Sequence, residues 1–430
     1  MATYPLGALA VARRSRYLFQ FEAADLSLTA RTGQVGTFAR NDTQSVGVID
    51  SNGVYGPALP NQPRFIAIDT DGDGVRDAVA LLLEPATTNL VEQNCTVGTS
   101  PWTFSGTTPT NAALSLAGLS WCLFTSASTS AARQTIGTFA TAGGKAYSFR
   151  IKAAPNTTGF VTGDVWILPV FDDTDAVARA AVKATVAADG SITFTSSVGT
   201  IISAVRIGGG AYEVKGQSTT VTAAHTHAIY ANDGLGFGGT ATAYYATGFQ
   251  VEDRSDPTSL IVTAGATGSR LADTLHFPFN APPQAMTVYV KGIVRLTDFT
   301  GDPYFLDIGT QGGAAPHFFV YTAGDVGEVH AEIHNTAATS SAVLPGQGFG
   351  DTIEAVGILN ADGSVSVAGC KNGGTILTGG ASASQAMPSA WSSPILQLGW
   401  GDGGAIMAFA YQSVRVAAGV VPLNLMRATA

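Results

Sequence analysis

The sequence predicts an all-β chain in which two antiparallel β-sandwich domains follow a short N-terminal segment. Three observations carry this. Past the first twenty residues, few windows keep apolar residues at i, i+3, i+4 and i+7, so amphipathic helices are nearly absent. Short segments of alternating apolar and polar residues recur instead, separated by Gly, Asn and Asp turns. Charged residues make up 12% of the 430, against about 25% in an average soluble domain, and 51 residues are glycine. That composition suits many packed strands, and the length leaves room for more than one core.

The same numbers exclude several classes. With 22 basic and 31 acidic residues the net charge is −9, which argues against coating a nucleic acid. A mean hydropathy of +0.21 with so few charges argues against disorder. No run of about 18 apolar residues is present, so no membrane-spanning helix is expected. The apolar stretch 5–12 precedes Arg13, Arg14 and Arg16, the reverse of the order in a secretory leader, so none is expected. Cys95, Cys122 and Cys370 are too few for a disulfide framework. A Cys95–Cys122 bridge is geometrically open, but small buried thiols in a protein made in the cytoplasm are expected.

The elements follow in order. Strands are read at 146–151 and at 163–168 around Trp166. Residues 175–186 have helical propensity, yet Val182, Ala184 and Val186 alternate with Lys183 and Thr185. Asp189-Gly190 and then Ile192 and Phe194 complete a hairpin of the Asp-Gly kind. A further strand spans 241–251, and Met286, Val288 and Val290 alternate with Thr287, Tyr289 and Lys291. Segments 317–321 and 328–334 continue the set. A second hairpin runs from 353–359 through Asp362-Gly363 to Val365 and Val367, and 406–416 is the closing strand. Boundaries are expected at Glu84-Pro85 and within 273–283, where FPFNAPPQ reads as a linker.

Several phrases resemble a known group. TFARNDT (37–43), DSNGVY (50–55), NQPRF (61–65) and LLLEPATTNL (81–90) are similar to the N-terminal module of bacteriophage virion proteins of the tail-fibre and minor structural type. In those proteins LLLEP-x-x-TNL opens a carbohydrate-binding-module-like jelly roll. It begins with a Trp-containing strand, here SPWTFSG (100–106), and closes with Q-x-E, T-S-x-I and R-x-A-D phrases. The counterparts here are FQVE (249–252), Pro257 to Ile261, and Arg270-Leu271-Ala272-Asp273, with Leu260 in place of the usual Tyr and Val262 in place of the usual Pro. Beyond residue 285, TVYVKG, VSVAGCKNGG (365–374), LQLGW (396–400) and AFAYQSVRV resemble a concanavalin/laminin-G-like sandwich.

The resemblance implies a virion-attachment segment and hairpin module at 1–85, a jelly roll at 86–274 and a concanavalin-like sandwich at 275–430. It implies a viral structural protein on the virion exterior, in the tail fibre or tail or on the capsid surface. Arg13, Arg14 and Arg16 would lie in the docking segment. The partners expected are further copies of the chain, as a homotrimer, other virion proteins, and host surface polysaccharide, the role being receptor binding. The alternatives are a purely architectural capsid or tail decoration protein, and a bacterial extracellular glycan-binding protein.

Candidate sites are few. Asp69, Asp71, Asp73 and Asp77, with Gly74, match positions 1, 3, 5, 9 and 6 of an oxygen-rich calcium loop. Position 12 is Ala80 rather than Glu, and a glycine-rich turn between strands explains the same residues, so Ca²⁺ is the one cofactor considered. In EVHAEIH, the residues Glu328, His330, Glu332 and His334 share one strand face that could hold zinc, but a solvated polar face is expected, as for His225 and His227. Sugars stack on exposed rings. Trp391 and Trp400, near loops, are the glycan-contact candidates, whereas Trp102 and Trp166 lie in apolar strands and are expected to be structural. Trp121 completes the set of five. Asp172-Asp173 would serve a glycosidase only with a carboxylate about 5–9 Å away. No nucleophile elbow or phosphate loop is present, and no enzyme activity is expected.

Overall fold

The computed structural model describes residues 17–40, 46–49, 55–58, 62–68, 78–93, 100–105, 110–116, 119–125, 131–232, 237, 239–279, 284–295, 303–310, 317–323, 328–333, 338–343, 350–382, 391, 394–399, 409–421 and 423–427. The chain divides into two compact units. The middle unit comprises residues 41–60 and 86–271, and the terminal unit comprises 1–40, 61–85 and 272–430. Strands dominate both, and helix among the described residues is confined to the turn Ala23–Asp25 and to Leu423–Arg427. No described helix is long and apolar enough to cross a membrane.

The middle unit has two six-stranded antiparallel sheets. One runs in the order Thr200–Gly208, Ala211–Gln217, Ala146–Ala153, Ala243–Glu252, Leu119–Thr125 and Thr110–Leu116. The other runs Ile192–Val198, Val177–Val186, Gly163–Asp172, His227–Asn232, Ala131–Gly137 and Thr103–Ser105. The Asp189-Gly190 hairpin forms as the alternation predicts. Gly190 takes φ +80, and a Cβ there would strike the Phe160 ring. Alternate residues of both sheets (Phe149, Ile151, Tyr244 and Phe249 from one, Val165, Ile167, Val182 and Ile229 from the other) fill the space between them. Trp102 belongs to this core, and Trp121 is buried in a smaller cluster with Leu119 and Leu260.

The phrases that carried the resemblance meet in a buried polar network. Asn89 accepts from the backbone N–H of Val91 (3.0 Å) and Val251 (3.2 Å) and donates to the carbonyls of Ile261 (3.0 Å) and Phe249 (3.3 Å). Gln250 accepts from the Ile261 N–H at 2.6 Å, and Glu252 accepts from Thr258 Oγ1 at 2.7 Å and from its N–H at 2.9 Å. Such groups are tolerated in an interior because their donors and acceptors are matched.

The terminal unit is a second two-sheet sandwich. Its larger sheet runs Leu377–Thr378, Val365–Lys371, Thr352–Leu359, Met286–Val294, Phe409–Ala418, Ala78–Leu83 and Arg64–Ile68. Its facing sheet runs Thr37–Ala39, Thr274–Pro278, Pro394–Leu398, Tyr304–Thr310, His317–Ala323, Glu328–Ile333 and Ala338–Val343. The Asp362-Gly363 turn links its two strands as read, with Gly363 at φ +78.

Residues 1–85 were expected to stand apart as a leading module, and the described part of them is distributed differently. One edge of Phe409–Ala418 is shared, with Leu81 to Leu83 pairing at residues 409–411 and Tyr17–Glu22 at 413–417. Phe19, Phe21, Leu81 and Leu83 are fully buried in the terminal core, area that an isolated hairpin could not bury. Val46–Ile49 instead pairs with Tyr55–Ala58 on one side and with Leu260–Ile261 on the other, in the middle unit.

Charge is also buried here. Arg64 of NQPRF bonds both Glu84 of LLLEP and Asp273 of RLAD, and Asp273 accepts the Glu84 N–H at 2.8 Å. All three side chains are nearly inaccessible, and the two carboxylates hold the guanidinium charged although burial opposes it.

Candidate functional site

The outer face of the middle unit's second sheet carries an aromatic patch. In Gly163–Asp172, Val165 and Ile167 point into the core, so Trp166 between them points away from it. Leu168, Phe171, Ala181, Ala228 and Tyr230 form a buried apolar bed on that outer face, and Phe171 meets Tyr230 edge-on at 5.2 Å. Trp166 and Phe237 lie half-buried at its edge, with ring centroids 5.2 Å apart and planes tilted by 42°.

The chain fixes this pair locally. The segment carrying Phe237 returns to the start of the strand, where the Thr240 and Ala241 N–H groups donate to the Asp164 carbonyl at 2.9 and 3.1 Å. Thr240 Oγ1 accepts the Asp164 N–H at 2.8 Å. The approach is so close that a Cβ on Gly163, at φ +125, would lie 2.7 Å from Thr240 Oγ1. Polar groups rim the rings. Asp164 accepts from Thr185 Oγ1 at 2.6 Å and faces Lys183 at 3.6 Å, the acid and the amine each about one-third exposed. At the Tyr230 side, Arg133 bonds Asp173 and lies over the Tyr230 ring at 5.9 Å. Half-buried rings beside paired hydrogen-bonding groups have the chemistry that suits a pyranose, which offers an apolar C–H face and a hydroxyl rim.

A second cluster gathers where Gly163–Asp172 ends. Asp172 is fully buried and accepts from the N–H groups of Thr174 and Asp175, from Arg179 Nη2 at 2.8 Å and from Nε at 3.2 Å. His225 Nδ1 lies 3.0 Å from Asp172 Oδ2 and 3.5 Å from Asp175 Oδ2. Burial by itself would raise the Asp172 carboxyl. The hydrogen bonds from Arg179, His225 and the Asp175 backbone instead hold it well below the usual carboxylate range. His227 is fully buried and packs on Phe139 at 4.7 Å. Burial pushes its imidazole below the ordinary value, against the pull of Asp172.

Two expectations need correction. Trp166 is not a core residue, because the alternation that buries Val165 and Ile167 turns it outward. His227 is not on a solvated face. It sits opposite Asp172 in the pairing of its strand with Gly163–Asp172, on the side that faces the core.

Elsewhere, Asp172 and Asp173 point to opposite faces, one to Arg179 and His225, the other to Arg133. Glu328, His330 and Glu332 do share a half-buried face alternating with buried Val329, Ala331 and Ile333. There His330 Nε2 meets Glu328 at 2.9 Å and Tyr321 donates to Glu332 at 2.8 Å. Trp391 is half-buried against the terminal core. Arg13, Arg14, Arg16, Asp69, Asp71, Asp73, Asp77, Cys95, His334 and Trp400 lie outside the described residues.

No protein-family model matches the chain, and no curated protein matches it. Solved structures similar to it include the Ruminococcus gnavus IT-sialidase CBM40 bound to α2,3-sialyllactose, at 15% identity over 34% of this chain and 80% of that one, with a TM-score of 0.27. The same module bound to α2,6-sialyllactose gives 14% identity, 34% and 82% coverage and a TM-score of 0.26. The LG1-3 region of the laminin α2 chain gives 8% identity, 66% and 63% coverage and a TM-score of 0.24. The two-sandwich architecture stands on this chain's own strand pairings.

Proposed function

We propose that this chain is a non-catalytic glycan-binding protein whose middle sandwich holds sugar on the outer face of one sheet. The observation that carries the reading is the Trp166–Phe237 pair, half-buried beside Asp164, Lys183 and Thr185 on a bed of buried apolar residues. A ring anchored from below loses little conformational entropy when a sugar stacks on it, and the charged rim supplies direction.

The setting is taken from the sequence resemblance. The chain is read as an exterior component of a bacteriophage virion, a tail fibre or tail part acting in receptor binding. It would assemble as a homotrimer with other virion proteins and take host surface polysaccharide as its ligand. Rigid, charge-poor sandwiches suit such passive work.

The test follows tryptophan fluorescence while purified protein is titrated with host surface polysaccharide. The reading expects a saturable change that Trp166→Ala abolishes. A flat response across host glycans is the result a purely architectural decoration protein would give, and it would overturn the adhesin reading. Immunogold labelling of intact virions with antibody to residues 275–430 tests the setting separately. Label on fibres or tail tips is expected, and absence of label would refute an exterior position.

A further inference from the structure

The charges around the Trp166–Phe237 pair narrow the class of sugar, once the glycan-binding reading above is granted. Val182 and Ala184 face the core, so Lys183 and Thr185 face outward, directly opposite Trp166 and Asp164 in the strand pairing. The next strand extends both rows, with exposed Thr195 opposite Lys183 and exposed Thr193 opposite Thr185. Neighbouring strands lie about 4.8 Å apart, so each row of three side chains spans about 10 Å, roughly two pyranose rings.

The cations beside the rings already have acid partners. Lys183 Nζ lies 3.6 Å from Asp164 Oδ2, and Arg133 bonds Asp173. These two acids and two bases sum to no net charge. A carboxylate or phosphate on the ligand would have to draw a cation from its acid and then approach that acid, which repels it. A hydroxyl both donates and accepts, so it meets neither obstacle. Asp164 Oδ1 accepts the Thr185 hydroxyl at 2.6 Å, whereas the 3.6 Å from Oδ2 to Lys183 exceeds a hydrogen bond. Oδ2 can therefore accept from one sugar hydroxyl while Nζ donates to its neighbour. We propose that this patch selects neutral hexopyranose glycans over acidic ones. The ring's C–H face lies against Trp166 and Phe237, an adjacent pair of hydroxyls joins Asp164 and Lys183, and the next sugar follows the threonine rows.

The test titrates the full chain calorimetrically with host surface polysaccharide, native and after its carboxyl groups are reduced and its phosphates removed. Equal affinity within twofold is expected, unchanged from about 0.05 to 0.5 M NaCl. Periodate, which cleaves adjacent diols, should abolish binding of both forms. Asp164→Asn keeps the side chain's shape and leaves Lys183 without its acid, so it should bind hexagalacturonate at least threefold tighter than the wild type does. Loss of binding when the acidic groups are removed would overturn the selection for neutral sugars and leave the glycan-binding reading standing. So would an Asp164→Asn protein that binds hexagalacturonate no tighter, and binding that survives periodate would overturn the hydroxyl pairing. No binding of either polysaccharide form would overturn the glycan-binding reading itself.

Discussion

Arg64→Met tests how the terminal sandwich is held together. The side chain is wholly buried, and the two carboxylates it bonds, Glu84 and Asp273, are nearly so. Methionine preserves the apolar stem and removes the charge that lies between them. Two carboxylates bonded to one guanidinium lie about 5 Å apart, and at an effective dielectric of about 20 their repulsion is roughly 3 kcal/mol. Breaking a buried ion pair by removing one partner typically costs about 3–5 kcal/mol, which agrees. Against a total stability of about 5–15 kcal/mol this is a large loss. Urea unfolding of the full chain, with peptide-resolved hydrogen exchange, should show it in the strands 64–68, 78–83 and 409–418. Adding Glu84→Gln and Asp273→Asn to Arg64→Met should recover most of the loss, since neutral groups have no charge to oppose. A loss below about 1 kcal/mol, or one the added changes do not relieve, would refute the argument that this triad is a mutually dependent buried charge set.

Other expectations follow the same logic. Gly216→Ala should destabilise the middle unit by about 3 kcal/mol in urea unfolding, because a Cβ would collide with the Tyr147 hydroxyl and the Thr200 carbonyl on the two flanking strands. Asp253→Asn should cost about 2 kcal/mol at neutral pH, since Asp253 bonds the buried Lys145 and accepts the Ala140 N–H at 2.5 Å. Burial raises the Asp253 carboxyl, but the Lys145 and Ala140 bonds outweigh it and hold it below the ordinary value. Its contribution is therefore present above the unfolded value of about 4 and lost as pH falls through the folded one, so the variant's acid-unfolding curve should be shallower. Phe237→Ala should weaken glycan binding several-fold at a stability cost of about 1 kcal/mol, read in fluorescence titration and thermal unfolding.

Much of the fold was legible because strand alternation and Asp-Gly turns are local signals. Val182, Ala184 and Val186 point into the core as their spacing requires, and the turns at Gly190 and Gly363 take the positive φ that the dipeptide foretells. The resemblance phrases also have a physical meaning in the structure. Asn89 and Gln250 satisfy backbone groups of neighbouring strands, Glu252 and Thr258 satisfy each other, and Arg64, Glu84 and Asp273 neutralise one another, so each set of phrases holds its own sandwich together.

The candidate site was harder to read. Val165, Trp166, Ile167 and Leu168 form a continuous apolar run because both faces of that strand carry apolar clusters, and alternation loses its contrast. Asp164 and Trp166, two residues apart with Val165 between them, were the available clue. The pairing of His225 with Asp172 spans 53 residues, and no local spacing announces it. The placement of Tyr17–Glu22 beside a strand near residue 415 is likewise set by which edge remains open to pairing.

Calorimetric titration of host surface oligosaccharide into wild type, Trp166→Ala and Trp391→Ala tests the central claim most directly. The account predicts saturable binding to the wild type, retained by Trp391→Ala and weakened at least tenfold by Trp166→Ala, about 1.4 kcal/mol. Binding that Trp166→Ala leaves unchanged would contradict it.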